Sequence, residues 1–147
     1  MSAIVVGVDG SEQSKRALAW ALEEARLRGA ELRVVHTFLY PGQAWPGYVA
    51  PLDPGVLGMI RSEAEDLIES IVAEVAGAEP AVEIVRVVVE GAPSERLLEE
   101  AADADLLVLG SRGLGGFAGL LLGSVGQQCV HHARCPVVVI PPPRGSA

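Results

Sequence analysis

Short runs of apolar residues alternate along the chain with segments in which apolar residues recur at helical spacing. Runs of this length, rich in Val and Ile and bounded by turn residues, are typical of buried strands. Five runs predict five strands: Ala3–Val8, Leu32–Phe38, Val82–Val89, Leu106–Leu109 and Val137–Ile140.

The segments between these runs predict four helices. One runs from Ser14 to a terminating Gly29, and a second carries apolar residues at helical spacing from Ile60 to Val75 and ends at Gly77. A third begins with Pro93, which suits a first helical turn, and a fourth covers about 124–133. The segment from Tyr40 to Gly58 contains four prolines and four glycines and is predicted to be a loop.

Strands and helices therefore alternate from the first strand to the last. This order favours an α/β fold with a doubly wound parallel sheet and helices on both faces. No internal repeat or linker divides the sequence, so residues 1–147 are predicted to form a single domain.

The charge of the chain limits the classes of partner that it is expected to bind. Nineteen acidic residues against eleven basic ones give a formal net charge of −8, which makes nucleic-acid binding an unfavourable interpretation. The start of the chain lacks the features of a signal peptide. The uncharged stretch Gly113–Val130 contains six glycines and would make a poor membrane helix. We expect a soluble, cytoplasmic protein without a membrane partner.

Two cysteines and two histidines cluster near the C-terminus as Cys129-x-His131-His132-x-x-Cys135. This spacing fits no standard zinc finger, and consecutive histidines on a helix point about 100° apart. A helix end with a small buried thiol is the favoured interpretation over a metal site.

Two segments at the carboxyl ends of strands are candidates for binding. They are Asp9-Gly10-Ser11 after the first strand and the glycine-rich segment Gly110–Ser124 after the fourth. Glycines allow backbone amides to approach a phosphate, a helix N-terminus favours an anion, and Ser124 is placed to cap the following helix. Residues 106–147 contain three arginines and no acid, whereas residues 1–105 carry eight bases and nineteen acids, so the glycine-rich segment lies in the anion-tolerant part of the chain.

Asp9 is unusual beside a phosphate site. A carboxylate near phosphates suggests a bridging Mg²⁺ or a sugar hydroxyl, although Asp9 also suits a turn or a helix cap, and the glycines also suit a flexible loop. Gly113–Ala118 matches a dinucleotide fingerprint but follows the fourth strand and lacks the ribose carboxylate, and no Gly-Lys-Ser/Thr motif for a P-loop occurs.

Taken together, these motifs resemble the ATP-binding branch of the universal stress protein family. The similarity is carried by the spacing Gly110-x2-Gly113-x9-Gly123-Ser124 and by the opening Ile-Val-Val-Gly-Val-Asp-Gly-Ser. Val-Val-His-Thr in the second strand, Gly-Ala-Pro before the third helix and the Cys-Pro-Val-Val-Val-Ile ending are also similar.

The resemblance implies a five-stranded parallel sheet ordered 3-2-1-4-5 that binds ATP and Mg²⁺. Asp9 would lie near the ribose or the metal, and the backbone of Thr37 would lie beside the adenine, although this family position is often aliphatic. The final strand, Val137–Ile140, would pair with its copy in a homodimer. The implied nucleotide-binding residues are Gly7, Asp9, Thr37, Gly110, Ser111, Arg112, Gly113, Gly115, Gly116, Gly123, Ser124 and Val125, with Asp9 also at the metal.

We therefore expect a nucleotide-dependent switch or sensor in stress response. No residue is an obvious base poised to activate water, so we do not expect an enzyme, and any ATP hydrolysis should be slow. Three other interpretations are a protein that binds cyclic AMP or AMP, a nucleotide-free dimeric interaction module, and an adenylating enzyme.

Overall fold

The computed structural model of the protein describes residues 2–40, 53–111 and 123–143, in which strands and helices alternate. The strands are β1 (Ala3–Gly7), β2 (Glu31–Phe38), β3 (Ile84–Glu90), β4 (Leu106–Gly110) and β5 (Val137–Ile140). The helices are α1 (Glu12–Arg28), α2 (Pro54–Ala76), α3 (Pro93–Glu100) and α4 (Ser124–His132).

The strands form one parallel sheet in the order β3-β2-β1-β4-β5. The predicted α/β fold and strand order are therefore confirmed. The order reverses between β1 and β4, because the chain adds β2 and β3 on one side of β1 and β4 and β5 on the other. Ligands of open parallel sheets bind beyond the carboxyl ends of the strands at such a reversal.

Two apolar layers, one on each face of the sheet, form the core. On one face Leu18 of α1 and Ile68 of α2 pack in a cluster with Ile4 and Val6 of β1. On the other face a cluster contains Leu97 of α3, Cys129 of α4 and Val5 of β1. Successive side chains of β1 thus pack in opposite layers, because side chains alternate between the two faces of a strand.

Both ends of α1 are fixed by local chemistry. Ser11 Oγ accepts from the Ser14 backbone amide at 3.1 Å, which satisfies one of the free N–H groups of the first turn. Gly29 adopts the left-handed conformation at φ 64° and closes the other end, as its position in the sequence predicts. The helix begins two residues before the predicted Ser14.

The second helix begins earlier than predicted. The expected loop from Tyr40 to Gly58 overlaps α2, which starts at Pro54 with Asp53 as its cap; Asp53 Oδ1 accepts from the Gly55 amide at 2.8 Å. The predicted loop includes Pro54, but proline at a first helical position removes no helical bond, because the N–H there has no acceptor within the helix. Of the expected loop, residues 41–52 lie outside the described residues.

Smaller differences concern the ends of other elements. β1 ends at Gly7 instead of Val8, and β3 covers Ile84–Glu90 instead of Val82–Val89. The N-cap of α4 is Gly123. Ser124 is the first helical residue, and no side-chain hydrogen bond caps the helix, so the predicted capping role of Ser124 is wrong.

No helix within the described ranges is both long and apolar enough to cross a membrane.

Candidate functional site

A cavity of about 220 Å³ lies at the reversal point of the sheet, beyond the carboxyl ends of β1, β2 and β4. Helices α3 and α4 close one side, and the first turn of α1 closes another. Its lining residues are Gly7, Val8, Asp9, Ser14, Val35, Thr37, Pro93, Leu97, Leu109, Gly110, Val125 and Gly126.

Two glycines allow the walls of this cavity to pack closely. A Cβ atom on Gly110 would lie 3.1 Å from the backbone carbon and oxygen of Gln13, in the first turn of α1. A Cβ atom on Gly7 would lie 3.0 Å from the Leu97 methyl carbons and 3.1 Å from a methyl carbon of Leu109. A side chain at either position would therefore force its neighbours to shift: the backbone of Gln13 at Gly110 and leucine methyl groups at Gly7.

A compact set of hydrogen bonds holds Asp9 at the cavity. Its Oδ1 atom accepts from the Ser11 amide at 2.9 Å, which forms a turn closed by the side chain. Its own amide donates to Ser14 Oγ at 3.2 Å, and that hydroxyl donates to the Ser11 carbonyl at 2.9 Å. Asp9 is thus both a turn residue and a carboxylate that lines the cavity, so the two interpretations of this residue are compatible.

The peptide group between Val8 and Asp9 leaves the regular ladder of the sheet. The Val8 amide still donates to the Val35 carbonyl at 2.9 Å, but the paired register of β1 and β2 ends at Gly7 and Val35. The Val8 carbonyl instead lies 3.0 Å from Nδ1 of His36. Because a carbonyl can only accept, Nδ1 carries the hydrogen and donates.

This departure exposes the backbone of Thr37. Hydrogen bonds of Glu31 and Val35 to residues of the β1 segment show that odd-numbered residues of β2 turn their N–H and C=O groups toward β1. The Thr37 groups therefore face the cavity side beyond the end of β1. Neither forms a backbone bond to Val8 or to another residue in the described part of the segment that follows β1.

Ser111 anchors the start of the glycine-rich segment. Its side chain is buried, and its hydroxyl donates to Gln13 Oε1 at 3.0 Å. Its amide donates to the Ile140 carbonyl at 3.0 Å, and its carbonyl accepts from the Gly123 amide at 2.7 Å. Ser111 and Gly123 are therefore in direct contact, next to Gly110 of the cavity lining.

The N-terminus of α4 lies at the cavity wall. Val125 and Gly126 line the cavity, and the first bond of the helix runs from the Gln127 amide to the Gly123 carbonyl. The amides of residues 124–126 precede that bond and have no acceptor within the helix. Such an end attracts anions.

Behind this wall, Cys129 of α4 is fully buried in the apolar cluster with Leu97 and Leu109. Burial raises the pKa of its thiol to about 11, so the thiol is neutral at physiological pH. Of the alternatives considered for Cys129, the buried thiol is confirmed. Within residues 2–40, 53–111 and 123–143, no three His, Cys, Asp or Glu side chains are grouped so as to hold a metal ion.

Five of the sequence-predicted site residues line one cavity: Gly7, Asp9, Thr37, Gly110 and Val125. Ser111 and Gly123 join the ends of the glycine-rich segment next to it, and Ser124 is exposed on α4. The other four, Arg112, Gly113, Gly115 and Gly116, lie outside the described residues.

Sequence reasoning missed the remaining lining residues. Pro93 and Leu97 come from α3, and only the Gly-Ala-Pro motif pointed to this helix. Val35 was also missed, although strand alternation places it on the same side of β2 as the predicted Thr37. That pattern was available in the sequence but does not indicate which face meets a ligand.

Comparisons with known proteins agree with this architecture. The profile of the "Universal stress protein family" matches residues 1–141. Universal stress protein Rv2005c of Mycobacterium tuberculosis is 39% identical over 137 residues, which cover 92% of this chain and 44% of that protein. The chain thus spans about half the length of the curated relatives it matches.

Three solved structures share the fold over nearly the whole chain. Universal stress protein UspA from Lactobacillus plantarum has a TM-score of 0.77 at 27% identity, with 95% of this chain and 97% of that chain covered. A universal stress protein in complex with cAMP has a TM-score of 0.60 at 32% identity, with 95% and 96% covered. The universal stress protein from Archaeoglobus fulgidus in complex with dAMP has a TM-score of 0.57 at 26% identity, with 95% and 98% covered. On the family match and these relatives, the chain belongs to the universal stress protein family.

Proposed function

We propose that the chain binds ATP with Mg²⁺ in the cavity at the strand ends and acts as a nucleotide-dependent switch or sensor. The observation that carries this proposal is the division of the cavity into an apolar part and a polar part. Val35, Leu97 and Val125 line it with apolar surface, while Asp9 and the Thr37 backbone, which is not bonded to Val8, supply polar groups. A nucleotide has the same division, with a flat base at one end and charged phosphates at the other.

The base would lie at the β2 side of the cavity. The Thr37 N–H would donate to the ring nitrogen N1 of adenine, and the Thr37 C=O would accept from the 6-amino group. Side chains of Val35 and Leu97 would cover the faces of the ring, which is favourable because apolar surface is removed from water. The two relatives solved with cAMP and dAMP support an adenine ligand for this chain.

The phosphates would lie at the β4 side, by Gly110, Gly123 and the N-terminus of α4. Amides that have no acceptor within α4 and the helix dipole favour negative charge there, and the lack of a side chain on Gly110 lets a ligand approach the backbone. The residues fit Mg²⁺ in one respect. Mg²⁺ is usually held by one or two carboxylates together with substrate phosphates, and Asp9 supplies a single carboxylate.

The volume of the cavity also bears on the ligand. At about 220 Å³ the cavity is smaller than usual ligand pockets of ~300–1,000 Å³, so the triphosphate would extend past its rim toward the glycine-rich segment.

Binding, not turnover, is the proposed activity. Among the described lining residues, Asp9 has the one titratable carboxylate, and its Oδ1 already accepts from the Ser11 amide. A general base needs to reach the proton it abstracts and to have a pKa near the working pH. Nothing in the described lining supplies such a base beside Asp9, so hydrolysis would be slow.

A second candidate ligand is cyclic AMP. The relative solved with cAMP is 32% identical over almost the full chain, which favours this alternative specifically. Cyclic AMP has the same base but a single phosphate. It would fill the base side of the cavity and leave the N-terminus of α4 with less negative charge.

The first experiment is to denature the purified protein and to chromatograph the nucleotides it releases. An ATP peak, or heat on titration with ATP in the presence of Mg²⁺, would support the proposal. A cAMP or AMP peak would favour the second candidate. No heat with millimolar ATP or cAMP at two temperatures would contradict nucleotide binding.

A matched pair of variants then tests the cavity itself. Val125→Trp places an indole in the cavity, and we expect it to weaken ATP binding at least roughly tenfold, equivalent to about 1.4 kcal/mol. Val130→Trp adds the same group to the same helix at an exposed position, 49% accessible, and should bind ATP like the unmodified protein. Calorimetric titration measures both affinities, and circular dichroism checks the fold. Equal affinities would place the ligand elsewhere.

The proposal includes a homodimer formed through β5. This strand lies at the edge of the sheet and consists of Val and Ile residues, each of which is half-buried. An apolar edge strand is a template for pairing with another strand. Pairing with a second copy would cover it.

A further inference from the structure

We propose that His36 is a positioning residue for the nucleotide site, which it serves by keeping the Thr37 amide free to bind the base. The inference rests on the proposed function for the identity of the ligand. Its structural part concerns only the described backbone and can be tested without a ligand.

The peptide group between Val8 and Asp9 is the element that His36 controls. Its carbonyl accepts from His36 Nδ1 at 3.0 Å, and its amide donates to Ser14 Oγ at 3.2 Å. Both polar groups of this peptide are therefore engaged by side chains, one from β2 and one from α1. The orientation of the peptide plane follows from these two bonds.

That orientation decides where the parallel ladder ends. After the bond from the Val8 amide to the Val35 carbonyl, a regular parallel ladder would continue with a bond from the Thr37 amide to the Val8 carbonyl. This next bond is not formed, and the His36 ring supplies the donor to that carbonyl instead. The Thr37 amide is left pointing to the cavity side.

The arrangement explains why a half-buried histidine suits this position. Its side chain lies on the opposite face of β2 from Thr37, yet Nδ1 reaches the neighbouring strand. Asparagine carries an N–H donor at nearly the same distance from the backbone, whereas leucine has similar bulk and no donor. The pair His36→Leu and His36→Asn thus separates the hydrogen bond from the packing.

Amide hydrogen exchange at Thr37, measured by NMR on the ligand-free protein, tests the structural part. We expect rapid exchange in the unmodified protein and at least roughly tenfold slower exchange in His36→Leu, because the freed Val8 carbonyl then pairs with the Thr37 amide. His36→Asn should exchange like the unmodified protein. His131→Leu, an exposed histidine of α4, is the matched control. Slow exchange in the unmodified protein, or no change in His36→Leu, would overturn the inference.

Affinities for ATP and for 1-deaza-ATP, which lacks the N1 acceptor, test the functional part. The unmodified protein and His36→Asn should bind ATP roughly tenfold more tightly than 1-deaza-ATP, and His36→Leu should bind the two nearly equally. A merely structural loss would weaken both nucleotides alike and keep their ratio, which would overturn the positioning role. If the unmodified protein binds neither ATP nor cAMP, the proposed function fails, and the exchange experiment still decides the role of His36.

Discussion

At Asp9 a single substitution can remove the negative charge while keeping the hydrogen bond that the side chain accepts. Its Oδ1 closes a turn by accepting from the Ser11 amide, and its carboxylate lines the cavity. Asp9→Asn keeps an oxygen acceptor for the turn and removes the charge. We expect Asp9→Asn to weaken ATP binding roughly tenfold with Mg²⁺ and much less with a chelator, because a neutral amide is a poor Mg²⁺ ligand.

Asp53 provides the control for this change. It also closes a turn through Oδ1, which accepts from the Gly55 amide, but it caps α2 and does not line the cavity. Asp53→Asn should leave both affinities unchanged. Titration calorimetry with and without Mg²⁺ measures the contrast. Equal losses in Asp9→Asn under the two conditions would make Asp9 a structural residue only.

At the scale of helices, alanine substitutions at two glycines with open space around them should change the stability of the fold in opposite directions. Gly29 ends α1 at φ 64°, and Gly58 lies inside α2; an added Cβ atom would meet nothing within 4 Å at either position. Gly29→Ala should destabilise the fold by about 1 kcal/mol because alanine is strained in the left-handed region. Gly58→Ala should stabilise it by about 0.5–1 kcal/mol through helix propensity.

Thermal unfolding of the two glycine variants measures these effects. A change of 1 kcal/mol corresponds to a shift of roughly 2–4 °C in Tm for domains near this size. We expect Tm to fall for Gly29→Ala and to rise for Gly58→Ala. Shifts of the same sign would mean that the two backbone conformations are not those described.

The same elements show how far local sequence signals extend. The end of α1 at Gly29 and the bounds of β5 were predictable, because glycine after an apolar repeat and a short β-branched run are unambiguous signals. The start of α2 was not, since Pro54 is compatible with a loop or with a first helical turn. The capping of α4 by Gly123 in place of Ser124 depends on one residue of register, which sequence does not fix.

Some features of the candidate site could likewise be predicted from the sequence, and others could not. Asp9 and Gly110 follow strands that meet at the reversal of the sheet, so their proximity follows from topology once the strand order is known. The proposed role of His36 depends on a side chain that reaches the carbonyl of Val8, the residue just after β1. Periodicity places His36 on a face of β2 but carries no information about that contact.

At the scale of the whole molecule, the edge strand β5 is the surface through which we propose that two copies pair. The edge strand β5 uses the carbonyls of Pro136 and Ile140 to bind β4, as shown by the bonds from the Leu107 and Ser111 amides. Even-numbered residues of β5 therefore face β4, and Val137 and Val139 direct their N–H and C=O groups outward. A second copy would pair with these outward groups in the proposed homodimer.

A proline at residue 139 tests this pairing without removing a bond to β4. Val139→Pro deletes one outward N–H, and proline is tolerated where that N–H lies on a free edge. We expect the unmodified protein to have the mass of a dimer by light scattering, and Val139→Pro to have the mass of a monomer. Val138→Pro is the contrasting variant, because it removes an N–H that faces β4 and should lower Tm as well. A monomeric unmodified protein, or a Val139→Pro protein that remains dimeric, would mean that β5 is not the interface. The nucleotide site would then have to act within a single copy of the chain.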